Sequence, residues 1–318
     1  MRVSVYVTLF FPLAAAPLAR LATTRMHPRY ATWLLSLAAV VLAGTSCGAL
    51  GLLAIAALVR IPALAHLAHL SHRVIAGGDS TSGAIDVASG ILFGAALLAT
   101  ASFAASRTRA LLDAFTHARR LPGRQSLVIT PDSTADAYTV PGKPGRIVVS
   151  AGMLDALDEP GRLALLAHEH AHLAGRHYLY TTAARLAATA NPLLRPLAGA
   201  VDYTVERWAD EDAARSVGDR RQVAAAIARA AIAAKRTRAR RGPALALGAV
   251  LGRGTGPSLA EAGPVPRRVA ALLGPAPRTS LPALLAGITL VALASVFALD
   301  AATDLHTLLA LAHAATRR

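Results

Sequence analysis

The chain has 318 residues, of which 54% are hydrophobic and only 16% charged, and its mean hydropathy is +0.46. That balance excludes an ordinary soluble enzyme and points to a protein that meets a lipid bilayer. The net charge of +15 invites a nucleic-acid partner, but the chain has only two lysines, Lys143 and Lys235, and its one concentrated basic patch, residues 235–241, has no aromatic residues interleaved as single-strand binding favours. The Arg bias, beside abundant Ala, reads as a GC-rich coding sequence, and no nucleic acid is expected.

Taken in chain order, the first apolar stretch covers about 3–19 and is interrupted by Pro12 and Pro17. "AAAPLA" loosely imitates a signal-peptide cleavage region. The prolines in the apolar segment and Arg20 immediately after it favour an uncleaved span. Residues 31–59 are long enough to cross a bilayer with tilt, and they contain Cys47, the only cysteine, so no disulfide framework exists. A loop follows with His66, His69 and His72 at three-residue intervals. This stripe could bind metal, although an amphipathic helix lying on the membrane explains it as well. Residues 83–105 form the next span and 281–299 the last, giving three or four transmembrane helices.

Lys and Arg in the short flanks set the orientation. Arg20, Arg25 and Arg29 lie between the first two spans, and Arg107, Arg109, Arg119, Arg120 and Arg124 follow the third. The intervening loop holds only Arg60 and Arg73, with Asp79. The expected protein is therefore a multi-pass cell-membrane protein with an outside amino terminus. Residues 1–105 form its membrane region, 106–280 a cytoplasmic domain, 281–299 a final span and 300–318 a short outside tail.

The chemistry sits in "LALLAHEHAHLAGRHYLY", residues 163–180. Leu, Ala, Glu and Arg favour a helix, and "LDEPGR" supplies acidic residues and a Pro near its start. His168 and His172 are four apart, so their imidazoles share a face, with Glu169 one step around. In this HExxH arrangement two His bind zinc and the Glu activates the attacking water. His170 points elsewhere. Burying three imidazoles and a carboxylate with no shared purpose would cost free energy, which weighs against a plain core helix.

Two His need at least one more protein ligand and an open position. In "VDYTVERWADEDAARSVGDR", residues 201–220, Glu206 and Asp210 are four apart on one face. Glu206 is the expected third ligand, and Asp210 is expected to orient a ligand His through its other ring nitrogen. Glu211 and Asp212 read as acids on a solvated face. His177 is a rival third ligand, but an unbroken helix would place it about 140° around the axis from His172.

"HEHAH" followed by "ERWAD" resembles the HExxH…ExxxD pattern of the membrane-bound gluzincin peptidases. These include the heat-shock membrane protease, the CAAX prenyl endopeptidase and the zinc domain of the beta-lactam sensor antirepressors. "DAYTVPGKPGRIVVSAGMLDAL", residues 136–157, resembles the strand and turn ahead of the zinc helix in that group, where the strand forms the edge against which substrate lies. "PVPRRVAALL", residues 264–273, resembles its Arg-containing segment. The likeness covers roughly residues 125–273. Many relatives carry Asp where this chain has His177.

The resemblance implies a mainly α, integral membrane protein with a helical zinc-peptidase domain and a small β-sheet, drawn here from "SLVIT" and "RIVVS". It implies one Zn2+ per chain, held by His168, His172 and Glu206, with Glu169 as catalytic base and Asp210 behind the ligands. The partners are a protein or peptide substrate and the bilayer. A cytoplasmic repressor is one candidate substrate and misassembled membrane proteins are the alternative; a zinc-binding sensor or scaffold without turnover is the reading from another class. "KRTRARR", residues 235–241, reads as a solvated loop beside the membrane that could meet anionic lipid or an acidic partner. Residues 240–266, rich in Gly and Pro, read as a mobile connection that could cover the site.

Overall fold

The computed structural model describes residues 2–59, 83–120, 126–143, 145–241 and 265–316. The histidine stripe at 66–72 and most of the Gly/Pro-rich stretch at 240–266 fall outside them.

The protein is mainly helical, with one three-stranded sheet among the described residues. Helix α1 (Arg2–Phe10) passes through a 3-10 turn at Phe11–Ala14 into α2 (Ala15–Arg25), so the prolines reshape the first segment without ending it. Then come α3 (Pro28–Val59), α4 (Gly83–Arg120), and strands β1 (Leu127–Thr130), β2 (Ala137–Val140) and β3 (Arg146–Ser150). The remaining helices are α5 (Ala151–Asp155), α6 (Glu159–Ala174), α7 (His177–Ala190), α8 (Arg195–Val217), α9 (Arg220–Arg241), α10 (Val265–Leu273) and α11 (Leu281–Thr316). Among the described residues, four helical segments are long and apolar enough to cross a membrane: Val3–Arg25, Pro28–Ile55, Val87–Thr116 and Leu281–Asp304. The basic run "KRTRARR" lies on the final turns of α9, not on a loop.

The largest core joins the spans to the helices that follow α6. Leu35, Ala38, Ala39 and Leu42 of α3 are buried against Ala184 and Ala187 of α7 and Leu197 and Val201 of α8. Small side chains let the helix backbones approach closely, which is how apolar helices associate where hydrophobic burial gains little. Gly287 of α11 shows the limit: a Cβ there would lie 2.4 Å from Leu34 Cδ2. Helix α8 therefore starts against the candidate spans and carries its second half out towards α6.

In the sheet, β3 is central, with β1 parallel on one side and β2 antiparallel on the other. All five residues of β3 are buried, as expected of a strand covered on both faces. Edge strand β2 packs beside α6. The β3–α5 turn brings Gly152 so close to Ser133 that a Cβ would lie 2.1 Å from the Ser133 carbonyl oxygen, and only glycine fits.

Candidate metal centre

Helix α6 starts as its sequence dictates. Asp158 is the N-cap and accepts a 3.0 Å hydrogen bond from Gly161 N–H, with Pro160 in the first turn. Its inner face carries Ala164, Leu165, His168, Ala171 and His172, and Glu169 is buried beside them. His168 and His172 meet through their Nε2 atoms, 3.1 Å apart. From α8, Glu206 places Oε2 3.5 Å from His168 Nε2 and Oε1 3.5 Å from His172 Nε2. Among the described residues, this trio is the group able to hold a metal ion, with its ligand atoms all within 4.8 Å of one another.

The opposite nitrogen of each imidazole is also engaged. His168 Nδ1 lies 3.1 Å from Asp210 Oδ1. His172 Nδ1 lies 3.0 Å from His177 Nδ1. The 140° offset expected for His177 fails because the helix breaks: Arg176 adopts a left-handed conformation at φ 48° and a new helix starts at His177. The break turns the His177 ring back onto His172 and over Trp208, with ring centroids 4.5 Å apart. Gly175 makes room, since a Cβ there would lie 2.3 Å from His177 Nε2. His177 thus sits behind His172, on the side away from Glu206.

Arg268 completes the cluster. On α10, Arg268 and Leu272 are four apart and both buried, whereas Arg267 faces out and its guanidinium lies 4.5 Å over the Tyr203 ring. The Arg268 guanidinium donates to both Asp210 oxygens, at 2.9 and 2.5 Å, and its Nη1 lies 3.0 Å from Glu206 Oε2. This residue holds the proposed ligand and its supporting carboxylate in one grip. The sequence signalled it through the likeness of "PVPRRVAALL" to an Arg-containing segment, without saying which of Arg267 and Arg268 turns inward.

Charge balance supports a divalent cation here. Glu169, Glu206 and Asp210 are buried carboxylates facing one buried guanidinium, which leaves two negative charges for a divalent ion to neutralise. Without metal, protons fill the deficit. Burial alone would lower the His168 pKa, but Asp210 and Glu206 raise it to about 9. Burial pushes Glu169 up to about 7. Burial would also raise Glu206 and Asp210, but Arg268 holds both carboxyls well below the usual range. His172 falls to about 4 by burial, so it presents a neutral lone pair. The residues present fit Zn2+, which favours His nitrogen and carboxylate oxygen.

One expectation about the acidic run is corrected. Glu211 does not lie on a solvated face: it is buried, 2.9 Å from Arg207 Nη2, and it also pairs with Arg220. Asp212 accepts from Trp208 Nε1 at 3.1 Å and pairs with Arg215. Helix α8 crosses between two cores, so positions that a solvated helix would expose are covered by α9 and α3.

These contacts separate ligand from support. Glu206→Ala removes a donor from the convergent trio and is expected to weaken zinc affinity more than ~100-fold. His177→Ala leaves the trio whole and is expected to cost about 10–100-fold, the usual effect of losing a group behind a ligand. Titration against a chromophoric chelator measures both; equal losses would put His177 among the ligands.

A family model described as Peptidase family M48 matches residues 102–190. The matched stretch begins within α4 and ends with α7. It contains His168, Glu169, His172 and His177 but stops before Glu206, Asp210 and Arg268. This match supports a metallopeptidase. No curated protein and no solved structure matches the chain.

Proposed function

We propose that the protein is a membrane-bound zinc metalloendopeptidase, with His168, His172 and Glu206 as ligands and Glu169 as general base. The observation that carries this reading is the convergence of the His168, His172 and Glu206 donor atoms beside a buried Glu169. A purely structural zinc site would close its fourth position with a protein ligand and would have no use for such a carboxylate.

When bound, zinc polarises the scissile carbonyl and lowers the pKa of water. The residues of this chain do the rest. Glu169 takes the proton of the attacking water and delivers it to the leaving amine nitrogen. Asp210 and His177 fix the two imidazoles from behind. The peptide lies along β2, whose outer edge pairs with no strand among the described residues. Thr139 and Pro141 at this edge line a cavity of about 10 Å³ with His172 and His177, no larger than one water.

Placement in the cytoplasm is supported by the Arg residues flanking the spans. For the physiological role, we favour regulated cleavage of a cytoplasmic repressor, with membrane-protein quality control as the alternative. Three candidate spans ahead of the zinc helices and one after them support the first. So does the basic run at 235–241, which suits an acidic partner. Purified full-length protein in detergent is expected to cleave an unfolded membrane protein, to stop when a chelator is added, and to resume with Zn2+. Cleavage indifferent to the chelator would remove the metal from the reaction.

A further inference from the structure

We propose that a second site, separate from the metal centre, binds a phosphate group where the spans leave the membrane. A cavity of about 330 Å³ lies between the end of α2, the middle of α8 and the segment joining α10 to α11. At about 30 Å³ per water it has room for roughly ten. Its walls include Thr23, Thr24, Tyr203, Arg207, Gly274 and Arg278, and no Asp or Glu lines it.

Arg207 is the built part of this site. It is only 7% exposed, and its Nη1 is buried with no hydrogen-bond partner. Its ion-pair partner Glu211 is shared with Arg220, so one carboxylate faces two guanidiniums and one positive charge is left over. Arg278 adds a second charge at the exposed rim, and Arg267, stacked on Tyr203, a third nearby. Helices α2 and α10 both end at this cavity, and their carbonyl ends oppose an anion. Each amounts to about half a charge. Two of these carbonyls, on Ala271 and Leu272, are already covered by Arg220. The balance favours an anion.

Position narrows the anion to a phosphate. Thr23 and Thr24 belong to the last turn of the first candidate span, Pro28 starts the second, and Arg278 precedes the fourth by three residues. The ends of three candidate spans meet at this cavity, which is where headgroups lie when such helices cross a bilayer. A guanidinium matches a phosphate with two parallel hydrogen bonds. The phosphate belongs either to an anionic phospholipid or to free phosphate.

The full chain, delipidated in detergent, is tested by native mass spectrometry and thermal shift against phosphatidylglycerol, phosphatidylcholine and inorganic phosphate. Wild-type protein is expected to hold one phosphatidylglycerol in preference to phosphatidylcholine, and Arg278→Glu to weaken this at least tenfold. Stabilisation by inorganic phosphate alone, also lost in Arg278→Glu, would keep the site and assign it to the free ion. Should Arg207→Gln fail to fold, Gly274→Phe fills the same cavity without removing a buried charge, and it is expected to block binding. No preference in wild type, or equal binding by Arg278→Glu and Gly274→Phe, would overturn the proposal.

Discussion

Glu169→Gln is expected to keep its fold and its zinc while losing about two to four orders of magnitude in peptide cleavage, the usual contribution of a positioned general base. The amide has nearly the same shape and keeps a carbonyl oxygen, but it cannot accept the water's proton. Retention of the fold follows from burial: a neutral amide in this pocket avoids the desolvation that pushes the Glu169 carboxyl up to about 7. Metal analysis and a cleavage assay on one preparation decide the matter, and a zinc-loaded variant that still cleaves at the wild-type rate would take the base role from Glu169. The same variant separates the two physiological readings. Cells carrying it are expected to accumulate one or two repressor-like proteins if cleavage is regulatory. Accumulation of many misassembled membrane proteins, seen by quantitative proteomics, would establish quality control instead.

Arg268→Leu is expected to be the most destabilising single change in the metal centre. It leaves the carboxylates of Asp210 and Glu206 buried without their cation, and breaking a buried pair by removing one partner costs about 3–5 kcal/mol. For a domain of this size, that lowers the unfolding midpoint by roughly 6–20 °C. The double variant Arg268→Leu/Asp210→Leu removes one of the two stranded carboxylates with the guanidinium and is expected to regain part of the loss in the thermal scan, Glu206 still lacking its cation. It should bind zinc more weakly, because His168 then has no carboxylate behind it. A single variant that melts with the wild type would mean that the pair contributes nothing net and that Arg268 serves only to orient Glu206.

Local chemistry made much of this protein legible in its sequence. Three apolar stretches of bilayer length, with a shorter proline-interrupted one ahead of them, follow from hydropathy alone, since lipid selects uncharged helices whatever they pack against. The acidic residues and Pro of "LDEPGR" announced the start of α6, because helix-start signals act within one turn of chain. His168 and His172 fall on one face by the period of the α-helix, and Glu206 and Asp210 repeat the relation. Strands β1 and β3 were visible as β-branched runs.

What the sequence left open depends on contacts across the chain. His177 was placed by helical geometry on the wrong face, because one left-handed residue, Arg176, breaks the helix and a new one starts at His177. Glu211 looked like a solvated acid, because nothing local reveals that α9 would bring Arg220 over it. Arg268, some 60 residues beyond Glu206, became the clamp of the centre only once α10 packed against α8. The cavity around Arg207 is built from three separate segments, and none of them looks like a binding site alone. Periodicity and caps are encoded within a few residues. Which charges end up buried together is settled by packing, and buried charges decide what this protein can bind.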